Sequence, residues 1–262
     1  MKRVLITGAS AGIGKATALR LAQPQRVLVL VARSEEGLKQ VSQEIKKSCP
    51  SCVVEVHPLD LTDKIESRKF YESLAPLDGA VLNAGSGSAG TFLDQNNEQI
   101  ASMINLNCLA LTESCRYVGS AMKKNGGGRL VLISSMAAYL PVPYLSVYCA
   151  TKAFVLSLGE SLHQELKNDG IHVTTVCPGG VLTEFHQKAG LSDGLVEKFK
   201  STLLTPEAVA AAIQEGFEGE KSIVVPGFLN LFSKWIIRWV PRKVLIRQAG
   251  QVYSKFIGQR PV

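Results

Sequence analysis

The sequence has no run of about 18 uncharged apolar residues, the length a helix needs to cross a bilayer. No secretory leader is expected either. Met1-Lys2-Arg3 passes into only three apolar residues, Val4-Leu5-Ile6, before Thr7-Gly8. Six cysteines in 262 residues do not make a disulfide framework. Cys49 and Cys52 have C-x-x-C spacing, yet no second Cys/His pair stands near to complete a zinc site. They read as loop thiols. Cys108, Cys115, Cys149 and Cys177 lie in apolar patterns and read as small buried hydrophobes. His163 and His172 have no companions for a metal, and His186 reads as a solvated loop residue. No metal is expected, and the absences together point to a reduced, cytoplasmic protein.

Acidic residues are missing from one stretch altogether. Residues 221–262 hold eight Lys and Arg and no Asp or Glu. The chain as a whole has 29 basic and 22 acidic residues, a net +7, so residues 1–220 carry −1. The basicity belongs to the tail. A nucleic-acid-binding fold would spread basic residues over a groove-reading element, and the body has no such patch. Nucleic acid is not an expected partner. Apolar residues at 46% exclude a disordered chain.

What the chain does have is alternation. Short Val/Ile/Leu-rich runs at 3–7, 26–32, 53–58, 79–83, 129–134, 171–177 and 222–226 read as strands. Helix-length segments lie between them at about 12–23, 35–48, 63–75, 96–124, 147–168 and 205–217. Continuous apolar strands such as Val27-Leu28-Val29-Leu30-Val31 suit a sheet covered on both faces. The expected fold is α/β: a Rossmann-type, doubly wound, seven-stranded parallel sheet with helices on both faces. A single catalytic domain over 1–226 is followed by a C-terminal helical extension over 227–262, where composition shifts.

The first strand ends in Thr7-Gly8-Ala9-Ser10-Ala11-Gly12-Ile13-Gly14, and a helical pattern starts at once. Residues without a Cβ let backbone N–H groups approach a pyrophosphate, and the helix N-terminus adds partial positive charge. At the end of the second strand a carboxylate would bind the ribose hydroxyls of NAD(H). This chain has Ala32-Arg33-Ser34 there. A guanidinium pairs with a 2′-phosphate that a carboxylate would repel, so Arg33 argues for NADP(H).

Tyr148 and Lys152 form Tyr-x-x-x-Lys at the start of a long helix, a spacing that shares one face. A free phenol has a pKa of roughly 10, too high for a base near neutrality. A neighbouring ammonium, helped by a bound nicotinamide cation, would lower it, letting Tyr148 exchange a proton with a carbonyl or alcohol oxygen. Ser135, thirteen residues upstream at the end of the fifth strand, can hold that same oxygen.

These motifs together resemble the short-chain dehydrogenase/reductase family, in its single-domain form, over about residues 2–226. Thr7 to Gly14 is similar to the family's Thr-Gly-x-x-x-Gly-x-Gly, which places Gly8, Ser10, Gly12, Ile13 and Gly14 at the cofactor. The resemblance implies that Asp60, with Leu61, binds the adenine amino group. Asn83-Ala84-Gly85 would lie along the cofactor. Pro178-Gly179-Gly180-Val181-Leu182-Thr183 would engage the nicotinamide carboxamide through its backbone and the Thr183 hydroxyl. Ser135, Tyr148 and Lys152 match the family's catalytic positions. A fourth is an Asn on the helix before the fifth strand, for which Asn105 and Asn107 both stand near. Asn107, 21 residues before Gly128-Arg129, has the family's spacing. Its implied role is to bend the helix and hold a water that relays protons to Lys152. Likewise Ser134 neighbours Ser135, but the interval to Tyr148 favours Ser135.

The implied activity is hydride transfer between NADP(H) and a carbonyl or secondary alcohol, with Tyr148 as acid in reduction. The alternative is a dinucleotide-sensing protein without chemistry, which would have no need of the tyrosine–lysine pair. Pocket walls are expected from 86–94, 136–145 and 184–203, after strand C-termini. Met136, Tyr139, Leu140, Pro141, Val142, Pro143 and Tyr144 make the middle segment apolar and suit a lipophilic substrate. Family members are commonly dimers or tetramers through two long helices, here 96–124 and 147–168.

The tail leaves two readings open. Trp235 and Trp239, the only two tryptophans, sit four apart among Phe, Leu, Ile and basic residues. Such a helix either covers the pocket or a partner subunit, or rests peripherally on a membrane surface. Pro241 should break any helix running through it.

Overall fold

A computed structural model describes residues 2–183, 185, 189–190 and 192–256. Seven parallel strands form one sheet: β1 (Arg3–Thr7), β2 (Val27–Ala32), β3 (Val53–Pro58), β4 (Gly79–Leu82), β5 (Gly128–Ile133), β6 (Ile171–Val176) and β7 (Ile223–Val224). Their order is β3-β2-β1-β4-β5-β6-β7. β1 is therefore an interior strand, with Leu5 opposite Val29 on one side and Ala80 on the other. The chain winds outward from β1 in one direction and then, from β4, in the other. Ligands bind at such a reversal, outside the carboxyl ends of the strands.

Alternation within each strand builds two cores. Val4, Ile6, Leu28 and Leu30 point to one face, where α1 (Gly12–Leu21), α2 (Glu35–Ser48) and α8 (Pro206–Glu218) bury Leu21, Leu38, Ile45, Ile213 and Phe217. Leu5, Val29, Leu130 and Leu132 point to the other. There α3 (Lys64–Ser73), α5 (Leu111–Lys124) and α6 (Ser146–Glu165) bury Phe70, Val118, Met122 and Val155. Between α6 and α8 lies the short α7 (Asp193–Phe199). Truncating a fully buried leucine such as Leu5 or Leu130 to alanine would cost about 2–5 kcal/mol. This is the Rossmann-type sheet, covered on both faces, that the apolar strands require.

Two segments and one cysteine differ from the sequence reading. The helix expected over 96–124 is α4 (Asn97–Ile104), a π-helical segment (Asn105–Ala110) and then α5. The expected strand over 222–226 pairs through only Ile223 and Val224. Pro226 has no N–H to donate, and Gly227 turns the chain with φ +84°. Cys108, in the π-helical segment, is half-buried, whereas Cys115, Cys149 and Cys177 are buried.

The extension forms α9 (Phe228–Trp239) and α10 (Arg242–Ser254), separated at Val240-Pro241 as the proline demands. Among the described residues no helix is long and apolar enough to cross a membrane.

Candidate active site

A cavity of about 940 Å³ opens over the carboxyl ends of the central strands. The turn after β1 forms one part of it. Gly8 and Gly12 have φ of +65° and +52°, values that disfavour any side chain. A Cβ at Gly14 would come within 2.1 Å of the Gly8 carbonyl oxygen, so α1 can start this close to β1 only without one. The Thr7 hydroxyl accepts from the backbone N–H groups of Asn83 and Ala84, both at 3.0 Å. The Asn83 amide donates back to the Thr7 carbonyl at 3.0 Å. These bonds lock the ends of β1 and β4 together.

Two loops meet across the cavity. A Cβ on Gly12 would stand 3.2 Å from Thr183 Cγ2. Val181 pairs with Leu204 in an isolated parallel bridge, which fixes the segment after β6.

Ser135 follows β5, and its hydroxyl accepts from Ala137 N–H at 3.1 Å. The neighbouring Ser134 hydroxyl instead donates to the Lys152 carbonyl at 2.7 Å. α6 carries Tyr148 and, one turn on, Lys152, whose Nζ lies 5.8 Å from the centre of the Tyr148 ring. Burial pushes the Tyr148 phenol up to about 12, against a lowering by the Ser135 hydroxyl beside it. Burial also lowers Lys152, to about 8. The ammonium donates to the Ile133 carbonyl at 3.0 Å. Without a dinucleotide cation in place, desolvation dominates both groups.

Asn107 is 1% exposed. Its side-chain oxygen accepts from Ser86 N–H at 2.9 Å, and its amide donates to the Ser86 carbonyl at 2.8 Å and the Thr151 hydroxyl at 3.0 Å. The π-helical segment inserts one extra residue per turn and presents this amide to the loop after β4 and to α6 together. Among the described residues no comparable set of bonds involves the Asn105 side chain.

Gly8, Gly12, Ile13, Asn83, Ala84, Gly85, Ser135, Tyr148, Lys152, Pro178, Gly179, Val181 and Thr183 all line the cavity. Ser10, Gly14, Arg33, Asp60, Leu61 and Asn107 do not. Ser10 packs at the N-terminus of α2, where a Cβ on Gly37 would meet its Cβ at 2.9 Å. Arg33 is exposed there, and its guanidinium has no ion-pair partner among the described residues. The next carboxylate, Glu35, pairs with Lys39 at 2.6 Å. Asp60 accepts from Thr62 N–H at 2.9 Å and its hydroxyl at 2.7 Å, while Leu61 is buried.

Met136, Leu140 and Val142 line the cavity, but Tyr139, Pro141, Pro143 and Tyr144 do not. Tyr139 packs instead under the extension, with Lys234 Nζ 5.1 Å from its ring centre. His186 lies outside the described residues. Phe185, within the expected wall 184–203, has its ring centre 5.6 Å from that of Tyr148. Sequence reasoning did not assign to the cavity four residues of the extension that line it: Asn230, Ser233, Ile237 and Tyr253. Of the two readings of the tail, cover over the pocket is thus present in the structure.

The model of the short chain dehydrogenase family matches residues 2–193. The chain is 32% identical over 228 residues to the ketoacyl reductase HetN of Nostoc sp., covering 86% of this chain and 78% of that one. It is 30% identical to the very-long-chain 3-oxoacyl-CoA reductase of Mus musculus, covering 98% and 82%. Among solved structures, a short-chain dehydrogenase from Sphingobium yanoikuyae in complex with NADPH superposes with a TM-score of 0.80 at 30% identity, covering 92% and 96%. The protein that folds this way belongs to the short-chain dehydrogenase family of oxidoreductases.

Proposed function

We propose that the chain is an NADP(H)-dependent oxidoreductase that interconverts a carbonyl and a secondary alcohol on an apolar substrate, with Tyr148 as general acid and base. The observation that carries this reading is a single cavity lined both by the glycine turn and by Ser135, Tyr148 and Lys152.

The residues fit a dinucleotide. Gly12, with φ +52°, comes close to Thr183, where a Cβ would stand 3.2 Å from Cγ2. The N-terminus of α1 directs backbone N–H groups and partial positive charge at a phosphate. Arg33, exposed and next to Ser34 in the β2–α2 turn, is suited to a 2′-phosphate. When bound, NADPH supplies the hydride.

Tyr148 supplies the proton. A phenol raised to about 12 is fully protonated at neutral pH, which is the form that reduction consumes. Ser135 steadies the substrate oxygen beside it. The phenolate left behind is supported by the positive charge of Lys152. Asn107 is a positioning residue that ties α6 to the loop after β4.

Leu140, Val142, Leu145, Phe185 and Ile237 make the walls apolar. The names of the Nostoc and mouse relatives, both reductases of oxoacyl chains, agree with a long apolar substrate. A panel of apolar ketones and 3-oxoacyl thioesters, each offered with NADPH and with NADH, tests the reading. It predicts turnover with NADPH well above NADH. A folded protein that binds NADPH and consumes none with any carbonyl would be a sensor instead.

A further inference from the structure

α9 has two unlike faces. Asn230, Ser233 and Ile237 turn inward and line the cavity. Phe228, Phe232, Trp235 and Trp239 form a stripe on the outside, at helical spacings of four, three and four. Phe228 is 81% exposed, Trp235 59% and Trp239 71%. The Phe232 and Trp235 ring centres are 6.3 Å apart, and those of Trp235 and Trp239 6.0 Å. Soluble monomers seldom leave such a contiguous aromatic patch uncovered.

Charge identifies what covers it. Arg238, Arg242, Lys243 and Arg247 are exposed around the end of the stripe, and residues 221–262 contain no carboxylate side chain. A symmetric contact with a second copy would set these cations against one another. An anionic lipid surface complements them, and tryptophan favours the headgroup level of a bilayer. We infer that α9 and the start of α10 dock on an anionic phospholipid surface, with Phe228, Phe232, Trp235 and Trp239 in the interfacial layer. The same helix then faces lipid outside and the cavity inside, which brings the pocket within one helix diameter of the phase where apolar substrates dissolve.

The stripe holds the chain's only two tryptophans, so intrinsic fluorescence reports on it directly. Full-length protein is mixed with vesicles of phosphatidylcholine alone, or of phosphatidylcholine with phosphatidylglycerol. Blue-shifted emission and co-sedimentation are expected with the anionic vesicles only, and both should fade as salt screens the surface charge. The triple variant Arg238→Glu/Arg242→Glu/Lys243→Glu should lose about tenfold or more in vesicle partition. A second variant, Trp235→Ser/Trp239→Ser, should lose co-sedimentation. NADPH affinity serves as the folding check for both. Unshifted emission and no pelleting of the wild type on anionic vesicles would overturn the inference. So would undiminished binding by the folded charge-reversed variant. If instead light scattering finds a dimer that the Trp235→Ser/Trp239→Ser variant splits, without vesicle binding, the occupant is a second copy and the lipid assignment fails.

Discussion

The Lys152 ammonium nitrogen lies 5.8 Å from the centre of the Tyr148 ring, one helical turn along α6, with its own hydrogen bond going to the Ile133 carbonyl. The two groups are held at opposite extremes for the same reason. Burial removes water from both, raising the phenol to about 12 and lowering the ammonium to about 8. The pair is therefore set as a protonated acid with a cation that neutral pH only just keeps charged.

Lys152 consequently weakens the fold. Unfolded, it holds its proton to an ordinary value of 10.5, and folded only to about 8. Between these values the unfolded chain binds more protons, so stability gained from this group rises with pH. Below about 8 the whole penalty stands, on the order of 3 kcal/mol. Lys152→Met should thus abolish turnover yet melt higher than wild type at pH 7, with the gap narrowing towards pH 10. Thermal unfolding of both proteins across that range checks it. A gap independent of pH would contradict a buried, destabilised ammonium.

Arg33, next to Ser34 in the β2–α2 turn, offers a guanidinium without an ion-pair partner among the described residues. Losing a charge-assisted pair costs roughly 1.5–3 kcal/mol. Arg33→Asp should therefore lower the ratio of kcat/KM for NADPH to that for NADH by about tenfold to a hundredfold. Initial rates at varied cofactor and fixed carbonyl measure it. An unchanged ratio would take the 2′-phosphate away from Arg33.

Asn107 satisfies both backbone groups of Ser86 and the Thr151 hydroxyl from one buried amide. Asn107→Leu leaves those groups unpaired, at a cost of about 1–3 kcal/mol. The expected result is a lower denaturation midpoint together with lost turnover and a smaller loss of NADPH affinity. Unaltered stability would show that water replaces the amide freely.

Much of this was readable in the chain because its strands are near-continuous apolar runs. Val27 to Val31 can only be a strand covered on both faces, and the glycine turn follows β1 where a phosphate site requires it. Helical periodicity could not reveal the π-helical segment at Asn105–Ala110, since one extra residue leaves α4 and α5 each amphipathic. Family spacing, rather than local pattern, separated Asn107 from Asn105. Arg33, Asp60 and Asn107 do not line the cavity, so their roles rest on motif and charge. The sequence places Trp235 and Trp239 together on one face of α9. Only tertiary packing decides that the face of Ser233 and Ile237 is the one that meets the pocket.

The most direct test is NADPH consumption by Tyr148→Phe beside wild type, on whichever apolar ketone the wild type reduces fastest. Removing one hydroxyl leaves the ring, its contact with Phe185 and the dinucleotide slot in place. NADPH affinity should be unchanged, while kcat falls by at least the roughly 10²–10⁴-fold that proton donation contributes. Turnover within a few-fold of wild type, with NADPH still bound, would remove Tyr148 from the chemistry and contradict the account.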